Sequence, residues 1–494
     1  TGASETATEK LRLNKDGILY VGGFGGLAAP ELAIKSNTTG NGLVNVLSFR
    51  DSNNAQQGYL GYGSSSHGNI NLYNALGGLN FYAGSANIRF ALDDNSRISL
   101  SNNDSGTNNT IFGKGSGFSI PSGATPSPQD NTFIGHEVAA AGTMTSAADS
   151  NTGVGFKALS PLTSGTLNTM VGYRSGFNIN TGSNNTALGS DSLKDCNDGT
   201  FNVAIGRSAN SANAGEYNVA VGAYALEDNT ASNNTAIGYL SGKNVTSGSD
   251  NTALGYNSLG GNVTTALTGD DNIALGANAG RDIQGSAEAN ILIGKDSGDS
   301  LTTGNFNVLI GRDSGESLVD ETHNTAIGTD ALSGSSLVNQ TVIIGSQAGK
   351  GAMEAAADGA VCVGYESGAA ITQGAGVTVI GFQAGKALTT GSNNTAVGYQ
   401  ALLGADDSQG NVAIGHLAMG IGNPANNNVA IGASALEDTT GASNVAIGYR
   451  AGRNVLGVND NVCIGHNAGL TMTDTADTVL IGRDAGKLID HSDA

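Results

Sequence analysis

Six histidines, three cysteines and a scatter of paired acids are the residues of this 494-residue chain whose types could do chemistry. The histidines, His67, His136, His323, His416, His466 and His491, are dispersed, with no partner at the fixed spacing that a metal site or a general base needs. His136, His416 and His466 each directly follow the glycine of a repeated motif, where a side chain is expected to face solvent. Asp270-Asp271 and Asp406-Asp407 could ligate calcium, but they lie in polar turns without the ligand series of a calcium loop and read as solvated turn acids. Gly381-Phe382-Gln383-Ala384-Gly385-Lys386 has the wrong glycine spacing for a phosphate loop. Cys196, Cys362 and Cys463 are an odd number far apart, so buried thiols are expected, not disulfides or metal ligands. No enzyme and no cofactor is expected.

A further set is more regular. Tyr173, Tyr239, Tyr256, Tyr365, Tyr399 and Tyr449, with Phe156 and Phe382, occupy the position after that same glycine. Aromatic faces stack on sugars, so these tyrosines form a candidate glycan-contact ladder. Packing of the rings on neighbouring repeats, or across a subunit seam, is the competing role and the default one.

What positions these residues is the repeat. Asn411-Val412-Ala413-Ile414-Gly415 has close copies whose marker glycines run from Gly113 to Gly482, usually 17 residues apart, as at Gly381, Gly398, Gly415 and Gly432. A short fixed period means one supersecondary unit stacked on itself. The unit holds a strand too short to be a helix, with Ala or Ser three residues after the marker at a tight corner, and polar turn residues elsewhere. We read an all-β parallel β-solenoid of about 17 residues per coil, about 100 Å long at strand spacing. Three consecutive apolar residues in the strand imply burial on both faces. The first and third are expected inside the coil, making Ile205, Ile237, Ile310, Ile414, Ile447 and Ile481 core residues. The middle residue is expected to point outward, making Ala187, Leu292, Leu309, Ile343 and Leu480 inter-subunit residues in a homotrimer. Thr186, Thr235, Thr252, Thr325 and Thr395, at the first position, are then inside, which argues against an ice-binding array.

Composition agrees with a repetitive β structure: 76 glycines, 6 prolines and no tryptophan. The net charge of -20 is spread along the chain and argues against nucleic acid and anionic membrane as partners. No apolar run is long enough to span a bilayer, so no membrane insertion is expected. The chain opens on Thr1, which suggests a processed or partial product. Residues 1–103 lie outside the repeat and read as a small module of β-hairpins, with Leu11 to Val21 turning at Asp16-Gly17 and Ile88 to Leu100 repeating the plan. Between them Leu79-Asn80-Phe81-Tyr82 is one of several alternating strand candidates. The module is expected to cap the first coil, and residues 104–494 to form the repeat shaft. Ser119 to Asp130, Thr264 to Asp271 and Gly351 to Asp358 read as inserted surface loops.

The Asn-Val-Ala-Ile-Gly strand with Ala or Ser three residues on resembles the head repeats of trimeric autotransporter adhesins, over roughly residues 110–486. That resemblance implies a left-handed β-roll trimer. Lys10-Leu11-Arg12-Leu13 with Asp16-Gly17, and Ser48-Phe49-Arg50-Asp51 with Gly58-Tyr59-Leu60-Gly61-Tyr62, resemble modules of bacteriophage tail fibres and tailspikes. The chain departs from the adhesin pattern in its longer coil and in lacking a heptad stalk or membrane anchor. Together these imply a non-enzymatic virion tail fibre, extracellular, binding a host-cell glycan or protein receptor and joined to other tail proteins through its N-terminal side. The alternatives are a bacterial surface adhesin or extracellular filament and, third, a tailspike enzyme that degrades glycans with two carboxylates across a groove.

Overall fold

The computed structural model describes residues 108–118, 120, 127–261 and 265–489, together with five short strands nearer the N-terminus. The chain divides into two units, Thr1–Ser99 and Leu100–Ala494. In the first, Leu11–Leu13 pairs antiparallel with Leu19–Val21, the hairpin expected at Asp16-Gly17. Val46–Arg50, Gln56–Tyr62 and Ile70–Asn74 form an antiparallel meander. The hairpin expected at Ile88 to Leu100, the strand at Leu79 to Tyr82 and most of the Ser119 to Asp130 loop fall outside the described residues.

The second unit is the solenoid. Twenty-two three-residue strands, from Thr110–Phe112 to Val479–Ile481, pair in chain order as one parallel ladder. Every pair is in phase, first residue on first residue: Thr186 faces Val203 at a spacing of 17, Val203 faces Val219 at 16 and Thr252 faces Ile273 at 21. Longer coils therefore take up their slack in the turns and leave the ladder undisturbed. The insertion before Gly364 closes on one 3-10 turn, Ala355–Ala357, and buries Met353 and Ala357 instead of standing off the body. Near the C-terminus Asp438–Thr439, Asn454–Val455, Thr471–Met472 and Leu488–Ile489 add a second parallel ladder.

The marker glycine sets the stacking. Gly398 has φ +138°, which L side chains avoid, and a Cβ there would lie 2.5 Å from the carbonyl oxygen of Gly415 in the next coil. The same approach recurs at almost every marker, so backbone lies on backbone with no room for a side chain. Two positions further on the chain turns left-handed again, at residues that are not glycine, such as Asp313 (φ 57°).

The coil interior corrects the expected direction of the strand. Ala187, Leu292, Leu309 and Ile343 are fully buried in the chain's own core, and Leu480 packs partly buried against it. The residues expected inside face out: Ile414 is 38% exposed and Ile481, at the last rung, 68%. Ile205, Ile237, Ile310 and Ile447 lie on that same outer face. The reason is the asparagine before the strand. Asn168 donates through Nδ2 to Gly182 O at 2.8 Å and to Asn151 Oδ1 at 3.0 Å. Its Oδ1 in turn accepts the backbone N–H of Asn185 at 3.0 Å. A buried amide must find such partners, which exist only inside the coil, and strand alternation then carries the middle residue inward with it. The asparagine column runs from Asn109 to Asn324 and again from Asn394 to Asn461, with Thr341, Ala360 and Val377 between the two runs. Thr341 ends the first run by donating its hydroxyl to Asn324 Oδ1 at 2.8 Å.

Opposite the strand, two positions share one volume. Where the fourth residue after the marker is Leu, the seventh is small, as in Leu193 with Cys196, Leu332 with Ser335 and Leu402 with Ala405. Where the fourth is Gly, the seventh is large, except beside Gly349, where Ala352 is small and the next residue, Met353, takes the space. A Cβ on Gly368 would come within 2.6 Å of Ile371 Cδ1, and one on Gly469 within 2.8 Å of Met472 Sδ. One coil carries Leu at both, Leu159 and Leu162, and there the strand gives way with Gly153, whose added Cβ would lie 3.2 Å from Leu159 Cδ1. The corner residue is buried throughout the described coils but the first and the last, at Ser116 and Ala485. Where it is Ser the hydroxyl is satisfied, as in Ser297 Oγ donating to Leu309 O at 2.8 Å.

Two substitutions test this packing. Gly398→Ala should destabilise the solenoid by roughly 3 kcal/mol in urea unfolding, whereas Gly359→Ala should cost about 1 kcal/mol. Gly359 has φ +76° and nothing within 4 Å of an added Cβ. Ala405→Leu should cost about 2 kcal/mol by overpacking against Leu402, and adding Leu402→Gly should recover much of it. Equal midpoints for Ala405→Leu and the double variant would refute the shared volume.

Candidate functional site

The outward side of the strand presents two columns. The first-position residues are all Thr, Val or Ile, and the third-position residues all Ile, Leu, Val or Phe, through all 22 rungs. No charge interrupts them. Thr186, Thr235, Thr252, Thr325 and Thr395 thus look outward, not inward as their place in the strand implied, because the buried asparagine turns the whole strand over.

Beside this face the residues after the marker glycines form the column anticipated from sequence. Tyr365, Phe382, Tyr399 and His416 stack in succession, with ring centroids 5.4, 5.2 and 5.1 Å apart. His136, Phe156 and Tyr173 make a second run. Tyr239 with Tyr256 and Tyr449 with His466 make two pairs. All six candidate tyrosines are exposed, but successive rings cover one another's faces. A sugar needs a free face, so within a run only the outermost rings offer one and the rest offer edges. The ladder is brought together, and its main work is ring-on-ring packing. A polar column runs alongside: Gln383 Nε2 donates to Glu366 Oε2 at 2.7 Å and Gln400 Nε2 to Gln383 Oε1 at 2.8 Å.

No three of His, Cys, Asp and Glu are grouped to hold a metal among the described residues. Cys196, Cys362 and Cys463 are free and buried. Burial pushes their thiols up to about 11, 12 and 11, which makes them inert packing residues. His136, His416 and His466 are exposed members of the aromatic column. Asp270 and Asp406 lie exposed in turns, Asp270 accepting the Ser249 N–H at 2.7 Å. Both glycines of the Gly381 to Lys386 segment are explained by coil packing, and Lys386 pairs with Glu366 at 2.6 Å.

One carboxyl stands apart, and sequence gave no sign of it. Burial pushes Asp299 up to about 6 against the pull of Arg281, with Asp282, Asp296 and Glu316 acting in the same direction as burial. Arg281 Nη2 lies 3.1 Å from Asp299 Oδ2, and Asp299 Oδ1 has no hydrogen-bond partner. The signal needed was the lateral column that brings Arg281, Asp299 and Glu316 onto successive coils.

A carboxyl whose folded pKa is raised contributes most to stability below its unfolded value, and the contribution is lost as pH rises through the folded one. Asp299→Asn should therefore gain on the wild type by on the order of 1–2 kcal/mol as pH goes from about 4 to about 7. Urea midpoints at both pH values measure it, and a constant difference would refute the assignment. No protein-family model matches the chain, and no curated protein matches it, so the site rests on its geometry alone.

Proposed function

We propose that the chain is the shaft of a homotrimeric attachment fibre on a virion tail, extracellular and non-enzymatic, which presents receptor-binding surface to a host cell. The observation that carries this reading is the outer strand face, free of charge through 22 rungs and apolar at the third strand position of every rung. At roughly 10 Å by 100 Å it covers on the order of 1,000 Å², above the few hundred Å² that soluble monomers expose and close to what each partner buries in a stable complex. A second copy fits it best, because columns in phase every coil match columns with the same period. Three copies, and the virion setting, rest on the resemblance of the repeat and of the N-terminal module. A cellular adhesin or filament would use the same face, and a glycan-degrading spike would add two carboxylates facing each other across a groove.

A second reading draws on the outward threonines. On the five successive rungs from Thr110 to Thr186, one coil apart beside an apolar column, they make a charge-free lattice that could order water as ice. It requires the face to stay uncovered.

Light scattering separates the two. The fibre reading expects three times the chain mass of 49.2 kDa, and Ile414→Asp with Ile431→Asp should break the assembly into folded single chains. A wild type that runs as a single chain overturns it, and thermal hysteresis in that sample would establish the ice lattice. Labelled trimer should adsorb to host cells and release no oligosaccharide from their polysaccharide.

A further inference from the structure

We propose that the first coils of the solenoid carry a glycan-binding pocket that takes one pyranose ring between Phe118 and Phe177. The proposal deepens the attachment reading above and rests on it. The fifth residue after each marker glycine forms a lateral column, in which long side chains such as Lys194, Glu227, Lys243 and Arg281 cover the coil. At Ala140 and Ser160 two successive rungs are short. Elsewhere among the described residues a short rung stands alone, as at Ser211, Gly260 and Ala369. The rungs on either side of the double gap are Phe118 and Phe177, three coils apart and so with backbones about 14 Å from each other. The gap between them is an open pocket of about 320 Å³, lined by both phenylalanines, Ala140, Ser160, Glu137 and Lys157.

The lining selects the ligand. One aromatic side chain stands at each end, Phe118 and Phe177, the latter with Arg174 5.8 Å from one side of its ring. Aromatic rings stack on the C–H side of a sugar, and the short residues leave a floor for it. Glu137 and Lys157, 3.4 Å apart at the rim, supply acceptors and donors for ring hydroxyls while cancelling each other's charge. That balance favours a neutral or acetamido hexose over a phosphate or a nucleotide. The volume suits one such ring with part of the next. Phe118 is 81% exposed, a large apolar side chain left standing on the surface of an acidic protein, as a ring-binding wall would be.

The test uses the full chain and three probes: methyl β-D-glucoside, methyl β-D-galactoside and methyl N-acetyl-β-D-glucosaminide, followed by saturation-transfer NMR and titration. At least one should bind in the millimolar range. Phe118→Ala, which trims an exposed ring, and Ser160→Phe, which fills the gap, should each weaken it about tenfold or more, while Tyr399→Ala leaves it unchanged. If Ser160→Phe fails to fold by circular dichroism, Phe118→Ala decides. No binding of any probe to the wild type, or equal binding by Phe118→Ala, overturns the pocket. Wild type and variants adsorbing equally to cells would sink the pocket as receptor site and leave the attachment reading standing. A wild type that binds a glycoside but adsorbs to no cell would do the reverse.

Discussion

Backbone touches backbone at the marker glycines, and that contact governs the rest of the solenoid. Where the Cβ of Gly398 would be, the carbonyl of Gly415 already lies. Such an approach fixes the rise between coils and leaves no freedom of phase, so each residue meets its own equivalent above and below. Like therefore stacks on like: Asn on Asn, ring on ring, Ser175 on Ser192. Columns of one residue type suit amides, hydroxyls and aromatic faces, each of which can satisfy a copy of itself. Charges cannot, and so they alternate in sign from coil to coil, as Arg453 does on Glu437 at 2.6 Å, or turn aside to chain neighbours, as Asp313 does to Arg312 at 2.5 Å.

The same spacing makes the interior narrow. Alanine fills half of the middle strand positions, and in most of those coils one Leu, Ile, Val or Met, at either of two places, is nearly all the large apolar volume available. Burial of apolar area is thin per coil, so cohesion leans on hydrogen bonds that pass from coil to coil and on the asparagine amides. At Thr341, Ala360 and Val377 the polar column is replaced on three successive coils. Cohesion across these coils comes instead from buried side chains, Ala360 and Val377 among them.

Much of this was legible in the sequence because the period is short and the corner residues are small. The coil length, the strand, the buried corner at Ala or Ser and the inert thiols at Cys362 and Cys463 all follow from spacing and side-chain size. The direction of the strand did not follow from its own three residues, which are apolar on both sides. The middle residue varies in size from Ala187 to Leu292, which a tolerant outer surface would equally allow. It lies instead on an inner surface whose volume is traded among Gly153, Leu159, Leu162 and their equivalents. Asn168 and its copies held the answer, since a column of amides directly before a strand has partners only on the inside. Leu193 and Leu226, left-handed without glycine, show no local sign of it, because their conformation is imposed by the coils on either side. The Phe118 pocket was likewise hidden, for its walls come from coils whose residues are adjacent only once the period is applied sideways.

Because every coil refers only to the coils beside it, none marks an absolute place along the shaft. Gain or loss of one whole repeat in the gene leaves each surviving contact with a matching neighbour, while gain or loss of a fraction does not. Shaft length is then a heritable quantity that changes in quanta of about 4.8 Å, so the reach of the molecule can be adjusted by unequal recombination without redesign of its surface.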